Sequence, residues 1–317
     1  MRTFMNRVKS IPAASLTRAT FLLFLFLLPA FSLWGCGTKE DVTIAATSTY
    51  SFDLCTDAAD EAIHLEHWAD EMRFQLDTSA IDERYTFLLF LDYEQVPFYI
   101  NGVAYEQYEI HVQEETDSHS FSFRLAQEPD SEQIHRLTGI IADHPDVHLA
   151  EEKSLDFLDD RSLTASRSLV IGDAQISAFP EIAAVQPEQL YDSPSADVLI
   201  NCHTDKLERY VPDKEVFVKK GEPLTIQYHA GGYPSSTSLL LLATAGFQQM
   251  ELDGQPYLYF DALPAGQTAA GYAQMQTPGE PGSYEVIVYL FPDPFTDRSS
   301  DLSAQSSFRF TLTVEDQ

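Results

Sequence analysis

Alternation of apolar and polar side chains, repeated along most of the chain, limits what this sequence can fold into. Near the end, Phe308, Phe310, Leu312 and Val314 alternate with Arg309, Thr311 and Thr313. Leu224, Ile226 and Tyr228 alternate with Thr225 and Gln227, and Phe121, Phe123 and Leu125 with Ser122 and Arg124. Tyr108, Ile110 and Val112 do the same with Glu109 and His111. A period of two puts every second side chain on one face of a pleated strand, so each segment reads as a half-buried β-strand. Apolar runs at 85–93 (YTFLLFLDY), 238–246 (SLLLLATAG), 257–263 (YLYFDAL) and 282–291 (GSYEVIVYLF) read as further strands, as do 42–54 and 168–171. Asn101-Gly102 is a hairpin-turn dipeptide between two such runs.

One segment breaks the pattern. Across 56–74, Ala58, Ala62, Leu65, Ala69 and Met72 recur at helical spacing, with Thr56 or Asp57 placed to cap the first turn. The spacing predicts a helix there, and a second, weaker one is expected over 131–142. A weakly patterned stretch at 173–197, punctuated by Pro180, Pro187 and Pro194, reads as a linker. It separates an N-terminal β-rich domain at 42–172, of α+β or sandwich type with one or two helices, from a C-terminal β-sandwich at 198–317. The expected fold class is therefore mainly β.

The first 35 residues carry Arg2, Arg7, Lys9 and Arg18 and no acid, followed by eight consecutive apolar residues at 21–28. That order is a secretory signal peptide, and the run is shorter than the roughly 18–20 apolar residues of a spanning helix. Leu33, Trp34, Gly35 and Cys36 resemble the lipobox of bacterial lipoproteins. The resemblance implies cleavage between Gly35 and Cys36 and a lipidated Cys36 as the mature N-terminus. It also implies a place in the cell envelope, on the extracytoplasmic face of a bacterial membrane. Two acyl chains, such as palmitate, anchor durably at about 0.8 kcal/mol per buried CH2. Residues 36–41 would then form a tether.

The segments VFVKKGEPLTIQY, PGSYEVIVYLF and FRFTLTV, in that order, resemble bacterial immunoglobulin-like modules. In these a Gly-x-Tyr segment, here Gly282-Ser283-Tyr284, opens a late strand. The resemblance covers roughly the last 110 residues and implies a sandwich whose sheet faces and end loops serve as contact surfaces.

The formal charge is −30, with 49 Asp and Glu against 19 Lys and Arg. Such a surface repels nucleic-acid phosphate and anionic lipid headgroups, which leaves nucleic acid out as a partner and makes membrane attachment a matter of the lipid anchor. The acids are spread along the chain, as on a solvated face.

Signals for chemistry are sparse. The sequence contains no G-x-S-x-G, S-x-x-K, P-loop, G-x-G-x-x-G or C-x-x-C motif. His64 and His67 would share a helix face, but the residues around them fit neither zinc signature and read as two polar residues of a half-exposed helix. His144 and His148 flank a loop at Pro145 and read the same way. Asp293, Asp297 and Asp301 share one loop, a weak candidate for calcium without the EF-hand spacing. Tyr257, Tyr259 and Phe260 suit a strand core better than a sugar-stacking platform. Cys55 and Cys202 are either a disulfide, in an oxidising compartment, or two buried or free thiols. No cofactor is expected. The reading is a non-catalytic, lipid-anchored surface binding or structural protein with a protein or glycan ligand. The alternative is an envelope hydrolase acting on wall polymers or glycans, which requires a cleft of converging carboxylates or histidines. A transporter's two-lobed solute-binding protein needs alternating β and α segments, and the sequence offers one good helix.

Overall fold

The computed structural model describes residues 50–55, 62–78, 83–113, 118–129, 133–151, 162–172, 179, 181–193, 195–202, 212–296 and 302–316. Its first half contains β1 (Tyr50–Cys55), β2 (Ala62–Leu65), β3 (Met72–Thr78), β4 (Glu83–Leu91), β5 (Glu94–Gln95) and β6 (Phe98–Ile100). Next come β7 (Val103–Tyr105), β8 (Gln107–Val112), β9 (His119–Leu125), β10 (His135–Asp143) and β11 (Leu163–Ile171). The second half contains β12 (Gln189–Asp192), β13 (Asp197–Asn201), β14 (Glu215–Lys219), β15 (Leu224–Gly231), β16 (Thr237–Ala245) and β17 (Gln248–Met250). It closes with β18 (Leu258–Leu263), β19 (Gln267–Met275), β20 (Gly282–Pro292), β21 (Gln305–Ser306) and β22 (Phe310–Glu315).

Four sheets result. The orders are β1-β3-β9-β6-β7, β2-β11-β10-β4-β5 with β8 beside β4, β12-β19-β15-β13, and β14-β22-β20-β16-β17 with β18 and β21 attached. The first two enclose a core rich in phenylalanine, where Phe74 stacks on Phe121 at 4.3 Å and Phe87 meets both edge-on. The last two enclose a second core of Val, Leu, Ala and Tyr. Both halves are thus β-sandwiches, as the alternating segments predict. The Asn101-Gly102 pair makes the β6–β7 hairpin, with φ of 50° and 81° at its two positions.

Neither expected helix is present among the described residues. Residues 56–61 lie outside the described set, but Ala62–Leu65 is β2, paired in parallel with β11, and Met72 begins β3. The burial period is two: Ile63 and Leu65, then Met72, Phe74 and Leu76, all face the core. The helical reading leaned on alanines, which bury too little to compete with these larger side chains. Between the strands the chain turns, with Asp70 N donating to His67 O (2.9 Å) and His67 N to Asp70 Oδ2 (2.8 Å). The second expected helix is β10 from His135 onward, buried at every position. Gly139 explains part of this, because a Cβ there would stand 2.5 Å from Phe52 Cζ of the facing sheet. The single 3-10 turn, Leu149–Glu151, is the helical element among the described residues, where no helix is long and apolar enough to cross a membrane.

The two sandwiches are stacked into one compact unit, from Ser48 to Gln317. β4, β10, β16 and β20 are buried on both faces. Phe87, Leu89, Leu137 and Ile141 face the N-terminal core, whereas Leu88, Phe90, Ile140 and Ala142 face the other way. In the C-terminal sandwich, Leu239, Leu241, Val286, Val288 and Leu290 face inward, while Leu240, Leu242, Ile287, Tyr289 and Phe291 face outward. The two outward sets meet in a third core, together with Tyr93 and Phe247. Apolar runs without alternation are what strands covered on both sides require. Each large side chain so covered contributes about 1.5–3 kcal/mol before entropic costs.

Polar staples ring this third core. Gln95 N donates to Gln249 Oε1 (2.6 Å) and Gln249 N to Gln95 Oε1 (2.7 Å), a side-chain imitation of a β-bridge. Arg136 donates to the carbonyls of Pro294 (3.1 Å) and Thr296 (2.6 Å), and Asp92 holds His135 Nδ1 at 2.6 Å. Arg309 donates to the carbonyls of Asp143 (2.7 Å) and His144 (3.0 Å). Buried Glu285 accepts from Thr311 Oγ1 (2.6 Å) and Leu149 N (3.2 Å). Where described, the expected linker also lies on the C-terminal sandwich: Val185 N donates to Tyr259 O (2.7 Å), and Gln189–Asp192 is edge strand β12.

Candidate functional site

The site with the clearest construction lies on the outer face of the β12-β19-β15-β13 sheet. Register fixes its residues. Tyr191 pairs with Thr268, Thr268 with Gly231 and Gly231 with Asp197, while Ala270 pairs with His229 and His229 with Leu199. Val198, Ile200, Tyr228, Ala230 and Ala269 occupy the core. The alternate residues Asp197, Leu199, His229 and Thr268 therefore point outward. Thr268 and Ala270 are nonetheless buried, forming a floor beneath larger neighbours. Tyr191 and His229 lie near-parallel, 13° between planes and 5.8 Å between centroids. The Tyr191 hydroxyl donates to Gln189 Oε1, and His229 Nε2 sits 2.9 Å from Gln227 Nε2, so each ring is tied to the glutamine two residues before it on its own strand.

Ser193 and Ser195 form the rim of a trough of about 450 Å³. Ser193 N donates to Gly266 O (2.8 Å). Gly232, at φ +82°, lies so near that a Cβ would stand 1.9 Å from Ser195 O. Only glycine fits there, on both conformational and contact grounds. The trough combines an aromatic pair, Leu199, three hydroxyls and the carboxylate of Asp197, which caps its own strand by accepting from Val198 N (2.8 Å). This set suits stacking and hydrogen bonding. Among the described residues of the trough wall, Asp197 has no second carboxylate beside it for glycoside cleavage. A larger cleft of about 670 Å³ runs between β1, β11 and residues 302–304, and is crossed by the Arg167–Asp53 ion pair at 2.5 Å.

Cys36 and Gly35 lie outside the described residues, as do Asp297 and Asp301. Asp293 closes a turn at φ +43°, its Oδ1 accepting from Ser238 N (2.9 Å) and Ser238 Oγ (3.1 Å). His64 is exposed on β2 and His67 on the following turn. His144 lies 3.4 Å from Glu83, and His148 Nδ1 lies 3.4 Å from Glu285, both in the polar ring around the third core. Among the described residues no group of three His, Cys, Asp or Glu is gathered for a metal.

Cys55 ends β1 in one sandwich and Cys202 follows β13 in the other, with no disulfide joining them. Burial, followed by the Asp213 carboxylate, pushes the Cys202 thiol well above its ordinary range. The thiolate is the reactive form, so Cys202 is expected to alkylate slowly at pH 8 in the native protein and rapidly in urea. Timed iodoacetamide labelling with peptide mass analysis checks this.

Phe260 is fully buried, and Tyr257 and Tyr259 pack on Phe295 at the third core, so the three form no exposed platform. Burial, then Glu94 and Asp92, push the Tyr257 phenol up to about 12, and burial raises Tyr93, Tyr228 and Tyr233 further. An unfolded chain ionises these phenols near 10, so between about pH 10 and 12 the folded state binds more protons and stability falls as pH rises. Alkaline titration followed by phenolate absorbance is expected to show these four titrating together with loss of near-ultraviolet dichroism. Four phenols titrating while that dichroism is intact would contradict it.

No protein-family model matches the sequence, and no curated protein matches it. Among solved structures, red sea bream transglutaminase is similar at 9% identity and a TM-score of 0.22, covering 84% of this chain and 31% of its own. This chain therefore spans less than a third of that protein. The C-terminal domain of the Streptococcus agalactiae AgI/II polypeptide BspA is 6% identical, with a TM-score of 0.24, covering 84% of this chain and 100% of its own. The Salmonella enterica SafA pilin, in complex with the SafB chaperone, is 12% identical with a TM-score of 0.25, over 85% and 99%. Scores this low carry no argument about activity.

Proposed function

We propose that the protein is a lipoprotein of a bacterial cell envelope, anchored through Cys36 on the extracytoplasmic face, acting as a non-catalytic surface binding or structural protein. The C-terminal sandwich is read as immunoglobulin-like. One observation supports the non-catalytic part: the charged groups buried between the sandwiches, Arg136, Glu285 and Arg309, bond to carbonyls, an amide and a hydroxyl that hold the block together. A hydrolase needs converging carboxylates or histidines free to act in a cleft, whereas in the larger cleft the Asp53 carboxylate is engaged by Arg167. Among the described residues the block presents to solvent a trough lined by Tyr191 and His229, suited to contact.

The anchor rests on the sequence at 33–36 and the basic, apolar segment before it. Peptide mass spectrometry on protein extracted from its own membrane tests it. The expected N-terminal peptide begins at Cys36 and carries a diacylglyceryl mass. A dominant population of unmodified peptides from upstream of Gly35 would overturn the anchor.

A further inference from the structure

We propose that the trough between Tyr191, His229 and Asp197 binds a neutral saccharide, a reading that rests on the surface-binding function above and names its ligand class. Three features of the site converge on that class. The first is the stacked ring pair, each ring tied to a glutamine of its own strand, an aromatic surface of the kind the C–H side of a pyranose covers. Second, the rest of the wall is hydroxyl-rich, with Ser193, Ser195 and Thr268, and Asp197 adds a strong acceptor for sugar hydroxyls. Third, the volume of about 450 Å³ lies within the range of small-ligand sites, which pair an apolar lining with a few placed polar groups.

Charge narrows the class. Asp197 and a chain of formal charge −30 disfavour acidic sugars and phosphorylated ligands. A quaternary amine is held best by several rings arranged as a cage, and here the two rings are stacked on each other rather than set around a space. The rim is also built to stay in place. Gly232 lets the Ser195 carbonyl approach to a distance no other residue allows, and Ser193 is tied to Gly266.

The test is titration calorimetry on the full-length chain in detergent, using cellotetraose, maltotetraose, mannotetraose, xylotetraose, chitotetraose and galactotetraose, with choline, sialyllactose and tetralysine as charged probes. At least one neutral oligosaccharide is expected to bind. Tyr191→Ala is expected to weaken it by about tenfold or more, Tyr191→Phe, which keeps the ring but not its tie to Gln189, to weaken it less than Tyr191→Ala does, and Gly232→Ala to weaken it by displacing the rim. Tyr191 lies on an edge strand, so its variants are expected to melt with the native protein, and thermal denaturation of each verifies the comparison. Silence toward all six neutral probes, or binding undiminished in Tyr191→Ala, overturns the site. Tyr191-dependent binding of tetralysine, choline or sialyllactose alone overturns the neutral saccharide while leaving surface binding in place. The state of Cys36 is read separately by mass, so failure of the anchor is not confused with failure of the site.

Discussion

Replacing Leu240 with alanine is expected to lower stability by about 2–5 kcal/mol, and to do so for both sandwiches at once. Leu240 is fully buried, yet its side chain is absent from the core of its own sandwich. It belongs to the third core with Leu88, Phe90 and Ile140 of the other half. Truncation removes apolar contact and leaves a cavity between two sheets that cannot collapse without sliding the sandwiches. Urea denaturation checks this, with the midpoint falling and the slope unchanged. Trp68 reports from the N-terminal sandwich, against whose core it packs. Its fluorescence transition is expected to shift although the substitution lies in the C-terminal half. Phe217→Ala is the control: Phe217 is 57% exposed, and its loss is expected to matter by less than about 0.5 kcal/mol. A Trp68 transition that stays put in Leu240→Ala would mean that the third core does not join the halves.

Arg309→Leu is expected to cost about 3–5 kcal/mol, more than the loss of a surface ion pair would. The guanidinium is buried and donates to two carbonyls at the end of β10, those of Asp143 and His144. It is also the cation beside the Asp143 carboxylate, 3.8 Å away and itself 10% exposed. Leucine fills the volume but leaves two carbonyls without that donor and a carboxylate without that cation, each at a desolvation penalty. Arg309→Lys is expected to recover part of the loss, because one ammonium cannot span both carbonyls as the planar fork does. Midpoints of urea unfolding for the three proteins give the comparison, and a leucine variant as stable as the native chain would contradict the staple.

The strands were legible because their alternation is local: Phe123 and Leu125, or Leu312 and Val314, state their own orientation. The Asn101-Gly102 hairpin was legible for the same reason. The misread helix at 56–74 shows the limit of counting apolar positions without weighing them, since Ala58, Ala62 and Ala69 carried a pattern that Ile63 and Phe74 contradict. The unbroken runs at 87–90 and 239–243 did contain the stacking of the sandwiches, as strands covered on both faces. Which sheet covers which is set by contacts some 150 residues apart in sequence, and no local pattern encodes that. The trough was illegible for a similar reason. Its residues come from four strands, and Tyr191 sits in a stretch that reads as linker. The one local trace was Gly231-Gly232, whose meaning appears only when the Ser195 carbonyl is seen against it.

Scanning calorimetry of the native protein tests the central claim, that two sandwiches share one buried middle layer and stand or fall together. The stacked arrangement predicts a single transition whose calorimetric and van't Hoff enthalpies agree. Two resolved transitions, or a calorimetric enthalpy about twice the van't Hoff value, would contradict it.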